Sequence, residues 1–119
     1  MIPSFLLAKL YVKGSLKNND TGFEFNLKNI IDPTMIIGIG PINVGEKSYE
    51  SDSISMILAE KTYPGAELSR ENSVLVRVGI PITVKVAGER LQPGIQKVSV
   101  SATTSDIGRI KFDLSDTAS

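Results

Sequence analysis

The chain has 119 residues, thirteen basic against thirteen acidic, for a net charge of zero, and it contains no cysteine, histidine or tryptophan. The charge balance argues against a nucleic-acid or anionic-membrane surface, both of which need a basic excess, and it leaves no self-repulsion to oppose stable association. The missing side chains remove disulfide and thiolate chemistry, the usual neutral-pH base and metal ligand, and the preferred platform for stacking a sugar.

The length fits one domain over residues 1–119, with a real core. The start, Met1-Ile2-Pro3-Ser4-Phe5-Leu6-Leu7-Ala8-Lys9, is apolar but is not a signal peptide. It has no basic n-region, and Lys9 ends a short apolar stretch. No segment approaches the ~20 apolar residues of a membrane helix, so no membrane is expected and the cytoplasm is the default compartment. Ile2, Phe5, Leu6 and Leu7 nevertheless form more apolar surface than a frayed start should expose. They either cover an end or edge of the domain or mark contact with a partner.

Leu10, Val12, Gly14 and Leu16 alternate with polar neighbours, which predicts a half-buried first strand over 9–17. Asn18-Asn19-Asp20-Thr21-Gly22 is turn chemistry, and Phe23, Phe25 and Leu27 alternate again, so residues 9–30 read as a β-hairpin. After the break at Asp32-Pro33-Thr34, residues 35–44 are apolar on both faces, as in a central strand. Gly40-Pro41 predicts a bend there, and it mirrors Gly79-Ile80-Pro81 closely enough to suggest a shared corner. Gly45-Glu46 suits a type II′ turn leading back to Tyr49. Ile54, Met56 and Leu58 mark a strand near 53–59.

Residues 60–72 are the longest stretch without periodicity, with a turn at Tyr63-Pro64-Gly65 and room for one helical turn at Ser69-Arg70-Glu71-Asn72. A loop of this length is either functional or a plain connection. Then Val74, Val76, Val78, Ile80, Ile82, Val84 and Val86 occupy every even position from 74 to 86. Period two places them on one face of a strand, while Gly79 and Pro81 divide the run into strands at 73–79 and 81–87 that pass from one sheet to another. Large-to-small changes at Val78, Ile80 or Ile82 should then cost roughly 1–4 kcal/mol. Residues 88–94 connect, anchored by Leu91. Val98, Val100 and Ala102 form the next strand, residues 103–106 turn, and Ile110, Phe112 and Leu114 form the last, before a polar tail at 115–119 that should fray.

About eight strands, within a range of seven to nine, without a helix predict an all-β fold: an antiparallel two-sheet sandwich of immunoglobulin-like character, with a small closed barrel as the alternative.

Carboxylates are the only acid–base groups in number, and they are scattered. Glu50-Ser51-Asp52-Ser53 is the tightest cluster, readable as oxygen ligands for a hard cation or as a solvated turn. It lacks the spacing of a dedicated calcium loop, and no metal is expected. Gly38-Ile39-Gly40-Pro41 cannot cradle a phosphate, because proline stands where the helix should start. No serine or threonine has an imidazole to activate it. Lys85 with Glu89 reads as a surface pair. Tyrosine is enriched at interfaces, and of Tyr11, Tyr49 and Tyr63, Tyr63 joins Ile2, Phe5, Leu6 and Leu7 as a candidate contact residue. No catalytic residue and no cofactor are expected.

The hairpin carrying Gly22-Phe23-Glu24-Phe25-Asn26-Leu27, the turn Val44-Gly45-Glu46, and the stretch from Val84 to Gly94 ending in Leu91-Gln92-Pro93-Gly94 before Val98-Ser99-Val100 resemble the β-subunit domain of bacterial C-glycoside deglycosidases. That resemblance implies a β-sandwich paired with a larger, metal-dependent barrel subunit. The chain is also similar to short chains labelled hydroxymethylglutaryl-CoA reductase, through no particular motif, and neither resemblance places a catalytic residue here.

The residues point to a non-catalytic accessory subunit or interaction module, bound to a larger enzyme or to its own copy. The alternative is an enzyme component lending carboxylates, Glu60 and Glu67 among them, or loop 60–72 to a shared active site. A sugar-binding module is a third reading, weakened by the missing aromatic platform.

Overall fold

The computed structural model describes residues 3–119, so Ile2 lies outside the described residues. Within them the chain forms a sandwich of two antiparallel sheets, as the alternation predicts, and the sheets stay open rather than closing into a barrel. There are ten strands: β1 (Lys17–Asn19), β2 (Gly22–Lys28), β3 (Thr34–Val44), β4 (Lys47–Tyr49), β5 (Ile54–Leu58), β6 (Lys61–Pro64), β7 (Val74–Val76), β8 (Pro81–Ala87), β9 (Ile95–Thr104) and β10 (Gly108–Thr117). One sheet runs β1-β2-β8-β5-β6; the other runs β10-β9-β3-β4, with β7 also paired to β3.

The core follows from which residues stand side by side. Across the first sheet Phe25 pairs with Val84 and Val84 with Met56, while Phe23 pairs with Val86 and Val86 with Ile54. Across the second, Phe112 pairs with Val100 and Val100 with Ile42. All of these side chains are buried. Neighbours on one face lie about 5 Å apart, so each row is a continuous apolar strip, and two facing sets of strips make the core.

The run from 74 to 86 does change sheets. Val74 and Val76 pair with β3 in one sheet, Ile82, Val84 and Val86 sit in the centre of the other, and Arg77–Ile80 is the crossing, closed by a hydrogen bond from Ile80 N–H to the Arg77 carbonyl at 3.2 Å. The unbroken apolar face does not survive the crossing. Val78, at the tip of this turn, is 52% exposed and Ile80 is half-buried. Pro81 opens β8, where its missing N–H costs no central ladder bond.

Asn29 holds the crossing in place. It is buried, and its side-chain amide donates to the Asp32 carbonyl at 2.8 Å and the Val76 carbonyl at 3.0 Å, while its Oδ1 accepts from Ile31 N–H at 3.1 Å. Its backbone carbonyl accepts from Gly79 N–H at 2.7 Å. One side chain thus satisfies backbone groups of β7 and of the loop leaving β2.

Four other expectations change. Residues 9–17 are not a strand: Ser4–Leu7 is one helical turn, α1, continued as a 3₁₀ turn over Ala8–Leu10, and a turn at Lys13-Gly14 precedes β1. The hairpin is therefore only β1–β2. Residues 115–119 do not fray, because β10 pairs with β9 as far as Thr117↔Ile95 and Ser119 N–H donates to the Leu16 carbonyl at 3.1 Å. Stretch 60–72 contains the hairpin strand β6, entered through Ala59 and Glu60, both at positive φ (50° and 67°). In place of a helical turn, Ser69 and Asn72 exchange backbone hydrogen bonds at 3.2 Å. Finally, the two kinks share no corner. Gly40 lies against Ser51 and Ile54, level with Val86, whereas Pro81 pairs with Lys28 at the other end of β8. The bend at Gly40-Pro41 and the Gly45-Glu46 turn, with Gly45 at φ 60°, are where the sequence placed them.

Urea denaturation separates the buried from the exposed half of the 74–86 run. Val78→Ala should shift stability by less than about 0.5 kcal/mol, whereas Ile82→Ala should cost about 2–5 kcal/mol. Asn29→Ala leaves the buried Val76 carbonyl without a donor and should cost about 1–3 kcal/mol. Equal effects of the changes at positions 78 and 82 would contradict the crossing.

Candidate functional site

Pro3 carbonyl accepts from the N–H groups of Leu6 (3.0 Å) and Leu7 (3.2 Å), which starts α1 and fixes its facing. Leu7 turns inward and is buried, with Leu10 packed behind it at helical spacing. Phe5 and Leu6 turn outward, and Phe5 is 66% exposed beside Lys111, Phe112 and Asp113 of β10. Residues 3–16 therefore strap the open side of the sandwich from β10 of one sheet to β2 of the other, where Val12 N–H donates to the Asn26 carbonyl at 2.9 Å.

The strap is latched by Asp116. Its Oδ2 accepts from Tyr11 Oη at 2.9 Å and from Gly14 N–H at 2.8 Å, and Tyr11 Oη accepts from Leu16 N–H at 3.0 Å. The Gly14 amide, followed by the Tyr11 hydroxyl, holds the Asp116 carboxyl below the usual carboxylate value, while burial pushes the Tyr11 hydroxyl up. Asp106 is lowered by Thr34 Oγ1, which donates to it at 2.9 Å, and Asp113 by Ser99 Oγ, which donates at 2.5 Å. Each of these three carboxylates is shifted away from the neutral range that a general base needs. They act as acceptors that fasten the fold.

The sequence-derived contact residues divide. Phe5 and Leu6 lie together on the outside, Leu7 belongs to the core, and Ile2 is beyond the described residues. Tyr63 stands on β6, the far edge of its sheet, half-buried with Lys61 Nζ 5.2 Å from its ring centre. It joins no patch with α1. Tyr49 packs edge-on against Phe23 at 5.8 Å and leaves room only for glycine at Gly88. Glu50 precedes a 3₁₀ turn at Ser51–Ser53 and Asp52 lies within it, and no three acidic groups converge among the described residues. Glu89 pairs with Lys47 rather than Lys85, a contact between exposed side chains that solvent screens.

One feature was invisible in the sequence. Between the sheets lies an apolar cavity of about 90 Å³, walled by Ile36, Ile39, Val84, Val100, Ala102 and Phe112 and closed on the strap side by Leu7. A void of that size costs about 2 kcal/mol at ~24 cal/mol per Å³. It reaches the surface where Lys28, Asp32, Thr34 and Ile107 line it. Periodicity places side chains on a face but does not reveal whether facing volumes add up, and only Ala102 in a row of valines hints at the gap.

With this geometry in place, comparison with known families gives a match over residues 6–119 to the model described as hydroxymethylglutaryl-CoA reductase, N-terminal domain, and the chain belongs to that family. Curated proteins give no match. The family agrees with the second of the two resemblances; the deglycosidase resemblance gains no support from it. No helix among the described residues is long and apolar enough to cross a membrane.

The latch sets a pH dependence. Because the folded state holds Asp116 ionised below its unfolded pKa, the stability it adds is complete above about pH 4 and is lost as pH falls through the lower folded value. Asp116→Asn should lower the melting temperature at pH 7 and flatten the decline below about pH 4. An unchanged acid profile would show that the strap is held by other contacts.

Proposed function

We propose that this chain serves a larger enzyme of its family as a non-catalytic accessory domain in the cytoplasm, seating its partner on the outward face of α1. The observation that carries this reading is the pair Phe5 and Leu6, turned outward by a helix whose inner side is anchored in the core through Leu7. An apolar pair on an anchored element is a low-entropy contact, because ordering it costs little on binding. The residue inventory supports the same reading: the chain contains no histidine or cysteine, and its shifted carboxylates are held as structural acceptors.

A second reading has its own observation. Ala59 and Glu60 both occupy the left-handed region, which side-chain-bearing residues rarely adopt, at an exposed hairpin tip. Strain of this kind concentrates at functional sites, and it favours Glu60 as a group lent to a shared active site. Glu67 lies beyond the opposite end of β6, so the two carboxylates would not act together.

Native mass measurement of the chain, alone and co-expressed with the products of neighbouring genes, tests the proposal. The expected result is a stable complex with a larger enzyme, weakened at least tenfold by Phe5→Ser with Leu6→Ser while the melting temperature of the free chain is kept. A monomer that recovers no partner removes the accessory reading. Glu60→Gln that lowers turnover with assembly intact selects the second. The identity of the partner separates a reductase from the glycoside-processing enzyme that the deglycosidase resemblance implies.

A further inference from the structure

We infer that the cavity between the sheets is a binding site for a small neutral hydrocarbon group, a short alkyl chain or a single aromatic ring, entering between loops 29–34 and 105–107. The wall chemistry comes first. A water molecule held inside a protein needs two to four polar partners, and the polar side chains that reach this cavity are already spent. Asn29 uses its amide on Asp32, Val76 and Ile31, and Thr104 Oγ1 donates to the Gly108 carbonyl at 3.0 Å and accepts from Ile107 N–H at 3.1 Å. Among the described residues no buried side-chain polar atom is left unpartnered. The interior therefore offers only apolar contact, and it favours an occupant without hydrogen-bonding groups.

The gap has a specific cause. Along β9 the inward residue is Val98 beside Leu114, Val100 beside Phe112, and then only Ala102 beside Ile110 and Ile39. The volume missing at Ala102 is not recovered by the facing strands. At about 90 Å³ the cavity is roughly 60% of the size of an engineered apolar cavity that stays dry and takes benzene or xenon, which limits the occupant to about six carbons.

The mouth is built for entry rather than sealed. Ile107, 42% exposed, lines both the cavity and the surface, and exposed Ile30 and Val78 flank Asn29 and Gly79 on the loops beside it. Lys28 and Asp32 bring one positive and one negative charge to the same rim, so neither an anion nor a cation is selected. The exposed hydrogen bond from Thr34 Oγ1 to Asp106 Oδ1 ties the start of β3 to the 105–107 turn at one side of the rim.

Benzene and xenon are the probes. Methyl NMR of the full chain, titrated with each, should show saturable shifts confined to Ile36, Ile39, Val84, Val100 and Ala102, and benzene should raise the melting temperature. Ala102→Leu fills the gap and should weaken benzene binding more than tenfold. Ala102→Val, which adds less volume, should weaken it by a smaller factor and covers the case in which the leucine variant does not fold. Absence of a saturable shift with both probes, or an Ala102→Val protein that binds as the unmodified chain does, overturns the inference.

Discussion

The fold depends on one chain crossing. Between Val76 and Pro81 the backbone leaves one sheet and enters the centre of the other, and it must do so without stranding polar groups beside the core. An unpaired buried amide or carbonyl costs about 1–3 kcal/mol, so a crossing of several residues is affordable only if something answers its hydrogen bonds. Asn29 does this with one donor on β7, one on the Asp32 carbonyl, and an acceptor for Ile31 N–H. Because β8 is central in its sheet, with β2 on one side and β5 on the other, the position set here is inherited by both neighbours. The rows built on Val84 and Val86 are aligned from this point outward.

The periodic parts of the chain were legible because strand geometry converts spacing directly into facing. β2, β5, β8, β9 and β10 all sit where alternation put them. The misreadings at the two ends of the chain share one physical origin, since each turns on a contact that local pattern does not encode. Leu10, Val12, Gly14 and Leu16 alternate as a strand would, yet Asp116, a hundred residues away, captures Tyr11 and Gly14 and holds that segment as a strap. The polar tail looked free because its partners, Leu16 and β9, come from elsewhere in the chain. The β5–β6 hairpin was missed because its two positive-φ residues are alanine and glutamate, where asparagine and glycine are the usual signal.

The candidate site was legible to a similar depth. The start announced itself by composition, and two of its residues, Phe5 and Leu6, are exposed together. Composition could not say which apolar residue faces in, and Leu7 does. Tyr63 shared only a residue type with that group. The cavity could not be read at all, because it is a shortfall of volume between Ala102 and strands drawn from six other places in the chain, and no single segment carries it.

These two regions meet in a single helical turn. Leu7 closes the cavity on the strap side, while Phe5, two residues earlier, faces solvent beside β10. Successive positions of a helical turn face different ways, so one short element divides its apolar residues between the two regions, Leu7 to the cavity wall and Phe5 and Leu6 to solvent. The surplus of apolar residues at the start of the sequence is therefore two things at once: part of it completes the core that the facing sheets leave open at this side, and the rest remains as exposed apolar surface beside β10.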